Sequence, residues 1–236
     1  MTSFFRVLLF AAASASLLSA AAPLTGFPFQ NETLRYNVKL PGGISLGSAT
    51  LTAHKGDDGG WNFEMALDAP VPIVPIADQY SATAGKDLCS ATLQRTMSHG
   101  SRKVTEKTEF DQQANQAHRQ TFFPLGGGKS EISIPTCGRD ALTFEYFARR
   151  EMGQGRVPAA GKILFGSGYD VKMVYTGAMD IAIADKTITT DHVTVSLKGA
   201  ASDIAFEIFY ARDPARTPLL VKIPASIGAV SLELVR

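Results

Sequence analysis

Cysteine is scarce in this chain, and so are histidine, tryptophan and any surplus of charge of one sign. The two cysteines, Cys89 and Cys137, have no second Cys or His at ligand spacing. His54, His99, His118 and His192 stand alone, with no partner two to four residues on. Zinc sites are built from such spacings, so no metal site and no cofactor are expected. Lys plus Arg number 23 against 22 Asp plus Glu. A balance that close gives no overall electrostatic reason to expect nucleic acid or an anionic membrane as partner. Internal repeats, low-complexity linkers and a second long apolar run are also missing.

What is present begins with an address. Arg6 precedes an apolar run over residues 7–18, which ends in Ser19-Ala20-Ala21. A positive start, an apolar middle and small residues at a cut site make a secretory signal, here residues 1–21, cleaved after Ala21. The run is shorter than the roughly 20 apolar residues that a bilayer-spanning helix needs. No cysteine lies near the cut to carry a lipid. Residues 22–236 are then expected to form a single strand-rich domain with no transmembrane segment, and the loss of Arg6 leaves bases and acids equal in number. In an exported protein an even cysteine count reads first as a Cys89–Cys137 disulfide, the alternative being two separate buried thiols.

Most of the mature chain carries the period of two that marks a half-buried strand. Leu34, Tyr36, Val38 and Leu40 share one face. Residues 44–53 lose strict parity across Gly47-Ser48, which suggests a bulge, and Trp61, Phe63, Met65 and Leu67 alternate again. Further strands are expected at 79–83, 88–97, 103–110, 116–123 and 131–135, with Val104, Phe110, Phe122 and Phe123 as apolar anchors. Beyond residue 162 they are expected at 163–165, 170–175, 181–184, 192–197, 204–210, 219–223 and 231–235. Residues 69–77, with three prolines among apolar residues, cannot join a central ladder. They read as a buried connection or as an exposed apolar flap over a ligand or partner site.

One substantial helix interrupts the strands, within residues 135–150. Asp140 suits its N-cap, since a carboxylate can accept from the free backbone N–H groups of the first turn. Leu142, Tyr146 and Arg149 share one face, while Phe144, Phe147 and Ala148 lie on the other side. Apolar residues on two sides imply a largely enclosed helix. A buried Arg149 needs a carboxylate or carbonyls; it reads as a structural ion pair or backbone clamp, or else as an anchor for an acidic ligand group.

Motifs that would announce catalysis are weak. Gly43-Ile44-Ser45-Leu46-Gly47 matches the hydrolase serine pattern, but β-patterned sequence follows where a helix is required. Gly126-Gly127-Gly128-Lys129-Ser130 lacks the first phosphate-loop glycine and the following helix. No catalytic residue is assigned and the ligand-binding residues are unknown.

The helix residues Asp140-x-Leu142-Thr143-x-x-Tyr146-x-x-Arg149 resemble the signature of an uncharacterised bacterial family of exported proteins, domain of unknown function 3108. Leu34-x-Tyr36 leading to Gly47-x-Ala49 is similar to that family's opening hairpin. Residues 209–213, Arg216-x-Pro218 and Ile227-Gly228 ahead of Leu232-Glu233-Leu234 resemble its closing strands, with Phe209 or Tyr210 in place of its usual tryptophan. The resemblance implies a periplasmic protein with a large curved antiparallel sheet, in the style of lipoprotein-carrier half-barrels, and no established catalytic residues.

The expected fold is therefore mainly β: a large curved antiparallel sheet, half-barrel or open barrel, with one central helix. Asp140, Leu142, Tyr146 and Arg149 are expected to hold that helix to the sheet. The expected function is a non-enzymatic cell-envelope protein, periplasmic or secreted, holding a lipid-like or other hydrophobic small molecule in the groove of the sheet. The alternative is an envelope assembly factor that docks a protein through sheet edges or residues 69–77. An enzyme with dispersed catalytic residues is a third option.

Overall fold

The computed structural model describes residues 31–70, 75–200, 202–225 and 228–235. The expected signal segment, residues 1–21, and residues 71–74 of the proline-rich connection lie outside the described residues. Eight strands come first: β1 (Asn31–Lys39), β2 (Ser45–Lys55), β3 (Trp61–Ala69), β4 (Ile76–Ala84), β5 (Ser90–His99), β6 (Arg102–Asp111), β7 (Gln116–Phe123) and β8 (Lys129–Ser133). The two-residue β9 (Arg139–Asp140) leads directly into the helix α1 (Ala141–Gly153). Then follow β10 (Gly161–Phe165), β11 (Ser167–Ile183), β12 (Lys186–Gly199), β13 (Asp203–Ala211), β14 (Pro218–Ala225) and β15 (Gly228–Leu234).

All the strands form one sheet, in the order β8-β7-β6-β5-β4-β3-β2-β1-β15-β14-β13-β12-β11-β10-β9. Each strand pairs antiparallel with its neighbour except β9, which runs parallel to β10. Two meanders are thus joined where the last strand returns to the first, Tyr36 opposite Leu234 and Lys39 opposite Ser231. The ladder runs from β8 to β9 without closing on itself.

The helix lies inside the curve and serves both halves. Leu142 and Tyr146 join Phe63, Tyr80, Leu93, Phe110 and Leu164 in one core. Ala148 and Met152 join Val171, Val193, Val195, Ile208 and Tyr210 in another. Apolar residues on two faces of α1 are therefore used by two different arcs of sheet.

Three details depart from the sequence reading. The segments expected at 170–175 and 181–184 are one strand, β11, whose register shifts between Tyr175 and Gly177. That bulge reverses the pleat, so Ile181 and Ile183 pack on Phe209, Leu219 and Leu220, a cluster separate from the α1 core. Phe122 and Phe123 are not core anchors: they are 49% and 47% exposed. The register between β6 and β7 shifts at Thr105/Glu106, placing Thr105 opposite Phe123 and Glu106 opposite Thr121, so Phe122 is the extra residue and the alternation ends there. Finally, β9 escapes any periodicity because two residues hold no period.

The bulge expected near Gly47 is present, between Val38 and Lys39 of the partner strand. Gly47 has φ +159, and a Cβ there would collide with the Asp68 carbonyl, so the close crossing of β3 requires glycine. Ser45 opens a strand and not a strand–helix elbow, and the Gly126–Gly128 turn leads into β8.

Candidate functional site at the open seam

The chain reaches its helix through a polar knot that begins at the disulfide. Cys89 and Cys137 are bonded, with Cα atoms 4.7 Å apart. This brings the start of β5 against β9: Ser90 N–H donates to the Gly138 carbonyl at 3.0 Å. The Gln112 side chain bridges the same two segments, donating to Ser90 O and Gly138 O and accepting from Gly138 N–H. Asp140 caps α1, accepting from Thr143 N–H at 3.0 Å and from the hydroxyls of Thr143 and Ser90 at 2.7 and 2.5 Å. Its own N–H donates back to Ser90 Oγ. Burial pushes the Asp140 carboxyl above its ordinary range, against the pull of these donors.

At the far end of the helix Arg149 is fully buried and meets Glu32 with both terminal nitrogens, at 2.8 and 2.9 Å, while its Nε donates to Ala215 O at 3.0 Å. Burial pulls the guanidinium down, yet Glu32 overrides it and the net direction is up, so the charge is permanent. Tyr146, one turn earlier, stacks on Phe63 with centroids 4.3 Å apart. Tyr210 donates to Glu145 at 3.1 Å, and Tyr36 to Pro218 O at 2.9 Å. Burial raises Glu145, with Arg149 opposing. Each of the four residues singled out from the sequence thus contacts the sheet, its connecting loops or the helix's own first turn.

The two ends of the sheet face each other across a seam that backbone hydrogen bonds do not close. Thr121 N–H donates to Gly128 O and Ile134 N–H to Asn115 O. By antiparallel alternation, the N–H and C=O groups of Lys129, Glu131 and Ser133 point away from β7 and into the seam. Side chains span the gap instead. Arg119 donates to the carbonyl of Gly166, at the β10–β11 turn. Arg95 pairs with buried Glu106 at 2.6 Å, and a Cβ on Gly166 would strike the Arg95 guanidinium. Arg139 donates to Leu88 O at 2.7 Å and lies over the Phe147 ring, 3.7 Å from its centroid. Burial, with Arg150 adding to it, lowers Arg139 to about 10, which leaves it charged at neutral pH.

Between these ties lies a cleft of about 280 Å³. Ile132, Ile134 and Pro135 line it from one end of the sheet, Ile163 and Leu164 from the other. Lys162, Asp170 and Lys198 form one cross-strand row on its rim, and Arg139 also lines it. Three cations against one carboxylate, set around aliphatic walls, suit an anion with an apolar body. Tyr169, at the same rim, has its hydroxyl lowered by hydrogen bonds from Ser167 and Ser202. Sequence patterning could not find this site, because its walls come from opposite ends of one sheet and only strand order brings them together.

The histidines remain dispersed. His99 meets Asp78 at 2.9 Å, His192 contacts Thr176 and lies 3.5 Å from Glu207, and His118 lies 3.7 Å from Glu131. Among the described residues no three His, Cys, Asp or Glu side chains gather as a metal site, and no helix is long and apolar enough to cross a membrane.

The architecture has a solved counterpart, the crystal structure of a β-barrel-like protein of domain of unknown function DUF1849 from Brucella abortus. It superposes with a TM-score of 0.64 over 89% of this chain and 98% of that one, at 7% identity, so the likeness is one of fold. No curated protein matches the chain. A family model described as protein of unknown function (DUF3108) matches residues 34–235, from within β1 to just past β15, and the chain belongs to that family.

Proposed function

We propose that the protein is a periplasmic or secreted envelope protein that binds a small anionic amphiphile in the seam cleft. The acid group faces Lys162 and Lys198, and the apolar body lies against Ile132, Ile134, Ile163 and Leu164. The cleft itself carries this reading: an apolar floor with a cationic rim, at the place where the sheet fails to close. Its volume, about 280 Å³, falls just below the roughly 300–1,000 Å³ range of small-ligand pockets, which favours a short chain or a headgroup with its first few carbons. Side-chain ties such as Arg119 to Gly166 can give way without breaking a ladder, so the seam admits a ligand at small cost. The disulfide supports an exported protein.

Titration with anilinonaphthalene sulfonate, followed by displacement with decanoate or decanol, tests it. Binding should saturate, decanoate should displace the dye and decanol should compete less well. Reversing both Lys162 and Lys198 to Glu should weaken binding about tenfold, the equivalent of 1.4 kcal/mol. Non-saturable binding, or indifference to the charge reversal, contradicts the proposal.

The unpaired edge of β8 favours a second reading, in which an extended partner segment adds there as a strand. Under that reading Glu131→Pro, which removes a seam-facing N–H, abolishes capture of a partner, and the dye shows no saturable site.

A further inference from the structure

The strands alternate in direction, so the β1–β2, β3–β4, β5–β6 and β7–β8 connections share one end of the sheet. At the last of these the chain runs Phe122-Phe123-Pro124-Leu125 into Gly126-Gly127-Gly128. Leu125 is 92% exposed; Phe122 continues the outward parity of Gln120, and the bulge turns Phe123 outward beside it. Gly126 and Gly128 have positive φ and open space where a Cβ would stand, while Gly127 between them packs back on Thr121 of β7. Three large apolar side chains on a hairpin tip are costly in water, and the shallow cleft beneath them, apart from Phe122, is lined by polar and charged side chains such as Lys107, Gln120, Lys129 and Glu131 and not by an apolar groove.

The charge around this tip is one-sided. Lys107, Gln120 and Lys129 form the first outward row below it, and Arg102 and Lys103 lie at the neighbouring β5–β6 turn. On this outward face carboxylates appear only one row further down, where Glu109, His118 and Glu131 align and Glu109 pairs with Lys107; Glu106, nearer the tip, is buried on the inner face against Arg95. The near-neutral total therefore conceals a local arrangement of apolar tip and basic collar. Such a tip inserts in the acyl boundary of a bilayer while its collar meets anionic headgroups.

We infer that the β7–β8 tip docks the protein on an anionic lipid surface. The inference is independent of the cleft, although β8 runs from this tip to the Ile132 wall. The test uses the purified full chain with sedimenting vesicles of phosphatidylcholine, with and without phosphatidylglycerol. Wild type should co-sediment with the anionic vesicles and lose them as salt rises. Leu125→Trp should shift its emission to the blue on those vesicles and be quenched by brominated acyl chains. Replacing Phe122, Phe123 and Leu125 together with Ser should lower partitioning about tenfold or more. These side chains are exposed, so the triple variant should keep the wild-type circular dichroism and melting curve. Co-sedimentation that survives the triple substitution, no co-sedimentation of the wild type, or a Leu125→Trp emission blind to vesicles overturns the inference. Equal binding to neutral vesicles overturns the role of the collar.

Discussion

Arg149 shows why a fully buried charge needs a complete set of partners. Glu32 takes both terminal nitrogens and Ala215 O takes the third donor, so the guanidinium ties α1 to the start of β1 and to the β13–β14 loop. Removing one partner of a buried pair strands the other, so Arg149→Ala should lower stability by about 3–5 kcal/mol in urea denaturation. Full stability with lost ligand binding would instead assign Arg149 to a ligand. Glu145, beside it, makes a different prediction. Burial raises its pKa in the folded state, so just above the ordinary glutamate range the folded protein keeps a proton that the unfolded chain has released. Stability then falls as pH climbs through that interval, and Glu145→Gln should flatten the fall. A urea-midpoint profile across mildly acidic pH, variant against wild type, measures it.

At the scale of the element, α1 was legible because its signals are local. Asp140 caps it and its apolar residues fall on two faces, Leu142 and Tyr146 on one and Phe144 and Ala148 on the other, but Phe147, expected beside Phe144 and Ala148, packs with the Leu142 and Tyr146 cluster. The helix runs to Gly153, three residues past the stretch that first marks it. What surrounds α1 was not legible to the same degree. Residues 170–175 and 181–184 read as two strands, yet they belong to one of 17 residues, because Gly177 at φ +127 sits in a bulge that reverses the pleat without ending the ladder. Phe122 and Phe123 look like core because aromatic residues in a strand usually are, yet Phe122 keeps the outward parity of Gln120 and the register shift at Thr105 takes Phe123 off the sheet's inner face. The disulfide holds the entry to α1 against β5 across a separation of 48 residues. On the chain-entropy account, replacing both Cys89 and Cys137 with Ser should cost about 4 kcal/mol of stability. Chemical denaturation of the double variant reads it directly. A loss close to zero would contradict the chain-entropy account of this disulfide.

The whole molecule is a sheet that curls far enough to enclose a helix and stops short of closing. Strand content and antiparallel order could be argued from periodicity, and the family signature pointed to a curved sheet. The seam could not be argued that way, because which strands end the sheet depends on β15 returning to β1 and not on any local pattern. That return leaves β8 and β9 as edges and creates the cleft between Ile132 and Leu164. The most direct measurement of a ligand in this cleft is photolabelling with a diazirine-bearing alkanoate, followed by peptide mapping. Label should concentrate on the peptides that carry Ile132 to Pro135 and Ile163 to Leu164, and excess decanoate should suppress it. Label spread over the sheet's outer face, or placed elsewhere and indifferent to decanoate, would contradict a ligand site at the seam.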